Sequence, residues 1–236
     1  MHSNKKNNKI LVIAAHPEDE ILGCGGTLAK LKKEGNEIYI YFIAEGISAR
    51  FSKKDIISEK VKKEIKIRNQ CCINSLKTLG INKTNIEFGT RVCCRLDQIY
   101  LLDLIKDIEQ KVNRIKPNII FTHWHNDLNI DHKIVNNAVR VATRPINKDY
   151  IKEILCFEVL SSTEWNHISE FKPNYFFNIS KFISLKCKAF NKYKKEIKPK
   201  PHPRSKEVIE SLATYRGSQV GLEYAEAFYL LKKINN

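Results

Sequence analysis

A histidine and three acidic residues stand within five positions near the start of the chain: His16, Glu18, Asp19 and Glu20. Imidazole nitrogens and carboxylate oxygens are ligands for a divalent metal ion, and a carboxylate beside such an ion can take a proton from water. So many charged groups at the end of a buried strand are costly without partners. The segment therefore predicts a metal site with a reactive water.

A second polar cluster, which ends at His132, lies far downstream. Each cluster directly follows an apolar segment, residues 10–15 and 118–122, that predicts a buried strand. Parallel strands end at a common edge of the sheet, where open α/β folds bind their ligands. His132 can therefore complete a ligand set with His16 and Asp19.

Other residues of these clusters suggest further roles. Glu18 neighbours the predicted ligands without being needed as one, so it is the natural base for a water that attacks a carbonyl carbon. Asp131 can orient a ligand or lower the local potential. Cleavage of an amide also requires an acid for the departing amine, and the candidates are His123, His125 and His202.

Strand and helix patterns alternate along the first part of the chain. The predicted strands are residues 10–15, 37–44, 85–88 and 118–122, and the predicted helices are residues 22–34, 55–79, 96–115 and 132–143. This alternation predicts an α/β fold with a doubly wound, mostly parallel sheet. A chain of 236 residues suits a single domain, over residues 10–236, preceded by a frayed lead-in over residues 1–9.

The pattern is weaker after residue 149. The predicted strands there are residues 151–160 and 175–179, the helices 180–195 and 205–215, the loop 216–226, and the closing strand or helix 227–234. A proline-rich, extended connection over residues 198–205 presents one histidine and one arginine, His202 and Arg204.

The formal net charge is +15, which suits either a lysine-rich solvated surface or an anionic substrate. The chain shows no nucleic-acid-binding motif and no apolar run long enough for a membrane span, so neither nucleic acid nor stable membrane insertion is expected. Seven cysteines without a C-x-x-C spacing favour reduced thiols in a cytoplasmic protein. The sequence leaves the number of subunits open, and a homo-oligomer is possible.

Three segments together resemble the LmbE-like (PIG-L) family of zinc-dependent de-N-acetylases. They are His-Pro-Glu-Asp-Glu at 16–20 with the glycines that follow, Asp-x-Asn-x-Asp-His at 127–132, and the tail from Pro-His-Pro-Arg-Ser at 201–205 to Glu-Tyr-Ala-Glu-Ala-Phe at 223–228. The resemblance implies a Rossmann-like fold and removal of an acetyl group from an N-acetylglucosamine-type sugar or its nucleotide-, lipid- or thiol-linked conjugate. It implies His16, Asp19 and His132 as ligands of Zn²⁺, with Fe²⁺ as the alternative ion, and Glu18 as general base.

The chain departs from that family pattern at several positions. Glu18 replaces the usual aspartate, and Asn129 stands where many members have a histidine that is often assigned as the acid, which leaves the acid role to His202. Arg95 follows two cysteines in a loop that is usually more polar. The candidate substrate contacts are Arg68, Arg95, Asp127, Asn129 and Arg204, and a solvated surface role is the alternative for the three arginines. The arginines and the basic surface would suit a phosphorylated sugar conjugate.

Two other classes of function compete with this hypothesis. One is a sugar-binding or regulatory module with a weakened active site, which Glu18 and the Cys93-Cys94 loop would mark. The other is a nucleotide-binding dehydrogenase, suggested by the glycines at 23, 25 and 26. Leu28 stands at the third glycine position of the G-x-G-x-x-G pattern, so these glycines more simply allow a close backbone approach beneath the metal site.

Overall fold

The structure, a computed structural model, describes residues 7–146 and 150–235. Most of the predicted frayed lead-in therefore lies outside the described residues, and Lys9 already belongs to the first strand. Within the described ranges, one sheet contains seven strands. They are β1 (Lys9–Ala14), β2 (Glu37–Ala44), β3 (Ile86–Arg91), β4 (Ile119–His123), β5 (Glu153–Phe157), β6 (Tyr175–Asn178) and β7 (Ala225–Lys233).

The strand order is β3-β2-β1-β4-β5-β7-β6. The first five strands in this order pair in parallel, whereas β7 runs antiparallel to both β5 and β6. The order 3-2-1-4-5 is that of Rossmann-type sheets, and the chain reverses its direction of winding between β1 and β4. The prediction of a mostly parallel, Rossmann-like sheet is confirmed.

Helices cover both faces of the sheet. The α-helices of the described residues are α1 (Asp19–Lys33), α2 (Glu59–Thr78), α3 (Leu101–Ile115), α4 (Ile130–Ala142), α5 (Ile183–Phe190) and α6 (Lys206–Ser218). Val12 of β1 packs in the apolar core with α1, α2, α5 and α6, whereas its neighbour Leu11 packs in a second core with α3 and α4. The sheet is therefore doubly wound, as predicted. None of these helices has the length and apolarity needed to cross a membrane.

Several boundaries differ from the sequence predictions. α2 begins at Glu59 rather than at residue 55. Ser58 is its N-cap, because the Ser58 hydroxyl accepts the Val61 N–H at 3.3 Å. The helix predicted from residue 96 begins at Leu101, because the extended backbone of Ile99 separates it from a short 3-10 turn at Leu96–Gln98. The predicted loop starts later than residue 216, since α6 extends to Ser218, and the closing segment is a strand, β7.

The α1 helix is interrupted at Cys24, where φ is −144°. A β-carbon on the preceding residue, Gly23, would lie only 2.4 Å from the ring of Phe157. A side chain at this position would therefore push α1 away from β5, beneath the turn that carries His16. This close contact gives Gly23 a packing role without any dinucleotide.

A buried ion pair fills the interruption of α1. The Glu226 carboxylate of β7 accepts the N–H groups of Gly26 and Thr27 at 2.9 and 2.6 Å, so it caps the second part of the helix. Lys186 of α5 donates to Glu226 at 2.7 Å and to the carbonyl of Leu22 at 2.8 Å, at the end of the first part. The pair joins α1, α5 and β7 through groups that the broken helix leaves free.

Candidate metal centre and active site

The turn after β1 sends three neighbouring carboxylates in different directions. Asp19 accepts the backbone N–H of His16 at 2.8 Å and lies against the histidines. Glu18 has φ 114°, in the left-handed region that residues other than glycine rarely adopt. The Glu20 carboxylate accepts the Glu18 N–H at 2.9 Å and the Tyr193 hydroxyl at 2.7 Å, which stabilises this backbone. Burial raises the pKa of Glu20 to about 8, although the hydrogen bond from Tyr193 lowers it.

Three buried side chains converge on one point at the carboxyl edge of the sheet. His16, Asp19 and His132 each offer a donor atom within 4.8 Å of the others. Asp19 Oδ2 lies 3.4 Å from His16 Nδ1 and 3.3 Å from His132 Nε2. Two donors bound tetrahedrally at a metal–ligand distance of about 2.1 Å are about 3.4 Å apart, so both separations suit a shared ion. Both ring nitrogens of His132 are buried and neither makes a hydrogen bond among the described residues, so Nε2 is available as a metal ligand.

Each histidine of this set has its own carboxylate behind it. His16 Nε2 lies 3.0 Å from Asp131 Oδ2, and His132 Nδ1 lies 3.2 Å from Asp127 Oδ1. Such outer carboxylates fix the tautomer and orientation of ligating histidines and increase their basicity. Burial lowers the pKa of His132, but the Asp19 and Asp127 carboxylates outweigh it and raise that pKa to about 9. In this arrangement the Asp127 and Asp131 carboxylates point at the two histidines and not at the space where a substrate would bind.

Backbone and hydroxyl groups hold these two outer carboxylates in place. Asp131 accepts the N–H groups of Cys94 and Leu96 at 2.6 and 3.1 Å. Asp127 accepts the hydroxyl groups of Ser162 and Thr163, from the loop after β5. Burial alone would raise the pKa of Asp127, but His132 and these hydroxyls lower it to about 2. The site therefore depends on the loops after β3 and β5 as well as on the two predicted clusters.

His123, a candidate acid in the sequence analysis, forms the inner wall of the site. Its ring stacks on that of His132 with 3.8 Å between the centroids, and its Nε2 accepts the Ala15 N–H at 2.8 Å. It is fully buried, and burial together with the charge of His132 lowers its pKa well below the ordinary value. His123 is therefore a neutral imidazole with Nε2 already bonded to the backbone.

Glu18 lies in a buried network of charges. Its carboxylate pairs with Arg68 of α2 and lies 3.3 Å from Arg204 Nη1. Both arginines also pair with Glu196, which binds Arg50 at 2.8 Å as well. Burial raises the pKa of Glu18, and the two nearby guanidinium groups oppose that effect. Burial would also raise the pKa of Glu196, but its three arginines lower it.

The proline-rich connection approaches the site through Arg204. Arg204 Nε donates to the Ser161 hydroxyl at 2.7 Å, and the Arg204 N–H donates to His202 Nδ1 at 3.0 Å. The His202 ring stands edge-on to that of Trp165, with 6.1 Å between the centroids. His202 is partly exposed, and slight burial and the charge of Arg204 lower its pKa.

Two further predicted substrate contacts, Asn129 and Arg95, and the candidate acid His125 make other contacts. The Asn129 side chain caps α4, because its Oδ1 accepts the Asp131 N–H at 2.9 Å. Arg95 is half-buried in the loop after β3, next to the residue whose N–H reaches Asp131. His125 is half-buried and its ring packs on Trp124, with 3.8 Å between the centroids.

No sequence pattern marks Glu196, Tyr193, Ser162 or Thr163 as a site residue. Glu196 is a single acid in a lysine-rich segment, and nothing in its neighbourhood along the chain distinguishes it from a solvated residue. Its partner Arg68 is 128 residues away in the sequence. Only the packing of α2 against the segment after α5 brings them together.

Comparison with known proteins places this chain in a family. Residues 11–143 match the family model for GlcNAc-PI de-N-acetylase, PIG-L. The chain is 31% identical over 199 residues to an uncharacterized deacetylase, YaiS, of Escherichia coli strain K12, covering 82% of this chain and 95% of that protein. It is 23% identical over 230 residues to the diacetylchitobiose deacetylase of Thermococcus kodakarensis, covering 92% of this chain and 81% of that protein.

The fold is also that of a solved deacetylase. The structure of N,N′-diacetylchitobiose deacetylase from Pyrococcus horikoshii, complexed with an inhibitor, superposes with a TM-score of 0.75 at 20% identity. The match covers 97% of this chain and 85% of that one. The protein thus has the α/β fold of the LmbE-like deacetylases. It belongs to the PIG-L family, as the sequence resemblance predicted.

Proposed function

We propose that this protein is a metal-dependent N-deacetylase that removes the acetyl group from an N-acetylglucosamine-type sugar. One observation carries the proposal: His16, Asp19 and His132 converge as buried donors beside the Glu18 turn, in a chain of the PIG-L family. The named activities of the relatives, which include diacetylchitobiose deacetylases, support the same reaction.

His16, Asp19 and His132 would hold the ion. A bound Zn²⁺ or Fe²⁺ acts as a Lewis acid that polarises the acetyl carbonyl and lowers the pKa of water. Two histidines and one carboxylate suit either ion.

Glu18 accepts a proton as water attacks the carbonyl carbon. The C–N bond of the amide then breaks, and acetate and the free amine are the products. The departing amine needs a proton, for which His202, the neighbour of Arg204, is our candidate donor. Arg68 and Arg204 hold the Glu18 carboxylate in position through its two oxygens.

Asp131 and Asp127 act in this proposal through the histidines that they contact, so they are positioning residues. Asn129, Arg95 and Arg204 remain candidate contacts to the sugar or its conjugate. Arg68 and Arg204 already pair with two carboxylates, so preference for a phosphorylated conjugate must come mainly from Arg95 and the basic surface. Similar turnover of neutral and phosphorylated substrates would argue against that preference.

The test measures acetate release from a panel of N-acetylglucosamine conjugates. Metal-stripped protein is assayed alone, with Zn²⁺ and with Fe²⁺, beside the variant Asp19→Ala and its matched control Asp97→Ala, an exposed aspartate of the loop after β3. We expect metal-dependent release that Asp19→Ala abolishes and Asp97→Ala retains. Metal-free protein that is fully active would refute the proposal.

The rival function is a sugar-binding or regulatory module on the same fold. It predicts that metal-loaded protein binds panel members without releasing acetate from any of them. A binding measurement on the same panel, by calorimetry, separates the two functions directly.

We also propose a cytoplasmic location. All seven cysteines are free thiols, and Cys93 Sγ and Cys94 Sγ stand 3.7 Å apart without a bond. Reduced thiols persist in the cytoplasm and are oxidised in secreted proteins. Thiol counting on protein isolated under acid quench would test this proposal.

A further inference from the structure

Two cysteines of the loop after β3, Cys93 and Cys94, lie beside His16 and Asp131. Cys93 Sγ, Cys94 Sγ, an Asp131 oxygen and a His16 nitrogen lie within 4.8 Å of one another. The Cys94 N–H donates to Asp131 Oδ2 at 2.6 Å, which ties the loop to that carboxylate. Thiolates, a carboxylate and an imidazole in one cluster are the donors that zinc and softer divalent ions prefer.

The separation of the two sulfur atoms suits one shared ion. Cys93 Sγ and Cys94 Sγ are 3.7 Å apart. Two thiolates bound tetrahedrally to zinc, at a Zn–S distance of about 2.3 Å, are about 3.8 Å apart. An ion can therefore bridge the pair with little movement of either side chain.

We propose that Cys93, Cys94 and Asp131 form a second site for a thiophilic divalent ion, such as Zn²⁺ or Cd²⁺. Asp131 is fully buried and Cys93 is nearly so, whereas Cys94 is exposed, which gives an ion a path from solvent. Binding forms two metal–sulfur bonds and releases the two thiol protons to water. This proposal does not depend on the deacetylase activity.

The second site shares a residue with the first. Asp131 Oδ2 is the hydrogen-bond partner of His16 Nε2 at 3.0 Å, and His16 is a predicted ligand of the first ion. An ion that takes this oxygen removes the partner that orients His16. Loss of such an outer carboxylate weakens metal sites by about 10–100-fold. Occupancy of the second site should therefore weaken the first site.

Cobalt binding to the full-length protein tests the site without any substrate. Co²⁺ bound to thiolate gives an intense ligand-to-metal charge-transfer band, which histidine and carboxylate ligands do not give. We expect wild-type protein to bind two equivalents and to show this band. Cys94→Ser should bind one equivalent without the band, whereas Cys71→Ser, at a partly exposed cysteine of α2, should match the wild type. Cys93→Ala should repeat the result of Cys94→Ser, with a melting curve to verify folding.

Two results would overturn the proposal: a wild-type protein without the charge-transfer band, or a band that persists in both Cys93→Ala and Cys94→Ser. Asp19→Ala, which removes a ligand of the first site only, should keep the band. If Asp19→Ala keeps the band, the second site is upheld even where no protein of the panel assay releases acetate and the proposed function fails.

A second measurement tests the coupling, and it rests on the proposed function. Excess Zn²⁺ should inhibit acetate release by wild-type protein, and the Cys94→Ser variant should resist the same concentration. Equal inhibition of both proteins would refute the coupling, because Cys94 would then play no part in it.

Discussion

Glu18 and Arg68 form an ion pair in which both side chains are nearly excluded from solvent, each with 4% exposure. The acid belongs to the strained turn after β1, and the arginine belongs to α2, 50 residues later. Arg68 also pairs with Glu196, so one guanidinium bridges two buried carboxylates. The predicted general base is thus held by a structural network rather than by the metal centre alone.

Removal of Arg68 should destabilise the protein strongly. Arg68→Met leaves Glu18 and Glu196 buried beside the less buried Arg204, and breaking a buried pair costs about 3–5 kcal/mol. Urea denaturation measures this change in the free energy of unfolding. Arg50→Ala is the control, because Arg50 is about half exposed and its pair with Glu196 should contribute below about 1 kcal/mol. Equal losses in the two variants would show that burial of Arg68 is irrelevant.

Substitution of Glu18 should separate chemistry from metal binding. Glu18→Gln cannot accept a proton, so kcat should fall by about 10²–10⁴-fold while the bound metal is unchanged. Glu18→Asp should keep much more activity, because a carboxylate remains and aspartate is the usual residue of the family. Metal analysis and steady-state kinetics on the same preparations check both expectations. Wild-type turnover by Glu18→Gln would exclude Glu18 as the base.

Substitution of Asp127 should change the affinity for the metal rather than the binding of the sugar. Asp127→Asn keeps the shape of the side chain but removes the charge beside His132 Nδ1, so metal affinity should fall by about 10–100-fold. Competition with a chromophoric chelator measures this change. Asp97→Asn should bind metal like the wild type. An unchanged affinity with a raised KM would instead favour the substrate contact that the sequence pattern suggests.

The sequence predicts the architecture well because the information is local. Residues 10–14 are fully buried, and an apolar run of that kind bounded by polar residues specifies an inner strand. The proline after His16 ends the strand, so the polar cluster must lie at the carboxyl edge. The same reasoning applies to β4, and pairing of β1 with β4 then brings the two clusters together.

The sequence fails where distant contacts decide the outcome. The Asp131 carboxylate accepts the Leu96 N–H from 35 residues earlier in the chain, and no local pattern predicts this contact. Glu196 becomes a site neighbour only through Arg68 and Arg204, and no local pattern marks it. The sequence predicts Asp127 as a substrate contact. In the structure its carboxylate instead accepts hydrogen bonds from two hydroxyl groups of the loop after β5, which no pattern near Asp127 predicts.

The Glu226–Lys186 pair should be the strongest stabilising contact outside the site, because it repairs a broken helix in the core. Both side chains are at most 5% exposed, and Glu226 caps two N–H groups of α1 while Lys186 binds a carbonyl of the same helix. Glu226→Gln leaves the ammonium group of Lys186 buried without a countercharge, so the free energy of unfolding should fall by about 3–5 kcal/mol. The exposed neighbour Glu223, changed to Gln, should alter it by at most about 0.5 kcal/mol. Adding Lys186→Met to Glu226→Gln should recover part of the loss, since no unpaired charge then remains. Urea denaturation of the wild type, Glu226→Gln, Lys186→Met and the double variant gives the coupling energy. Strictly additive losses would show that the two side chains act independently.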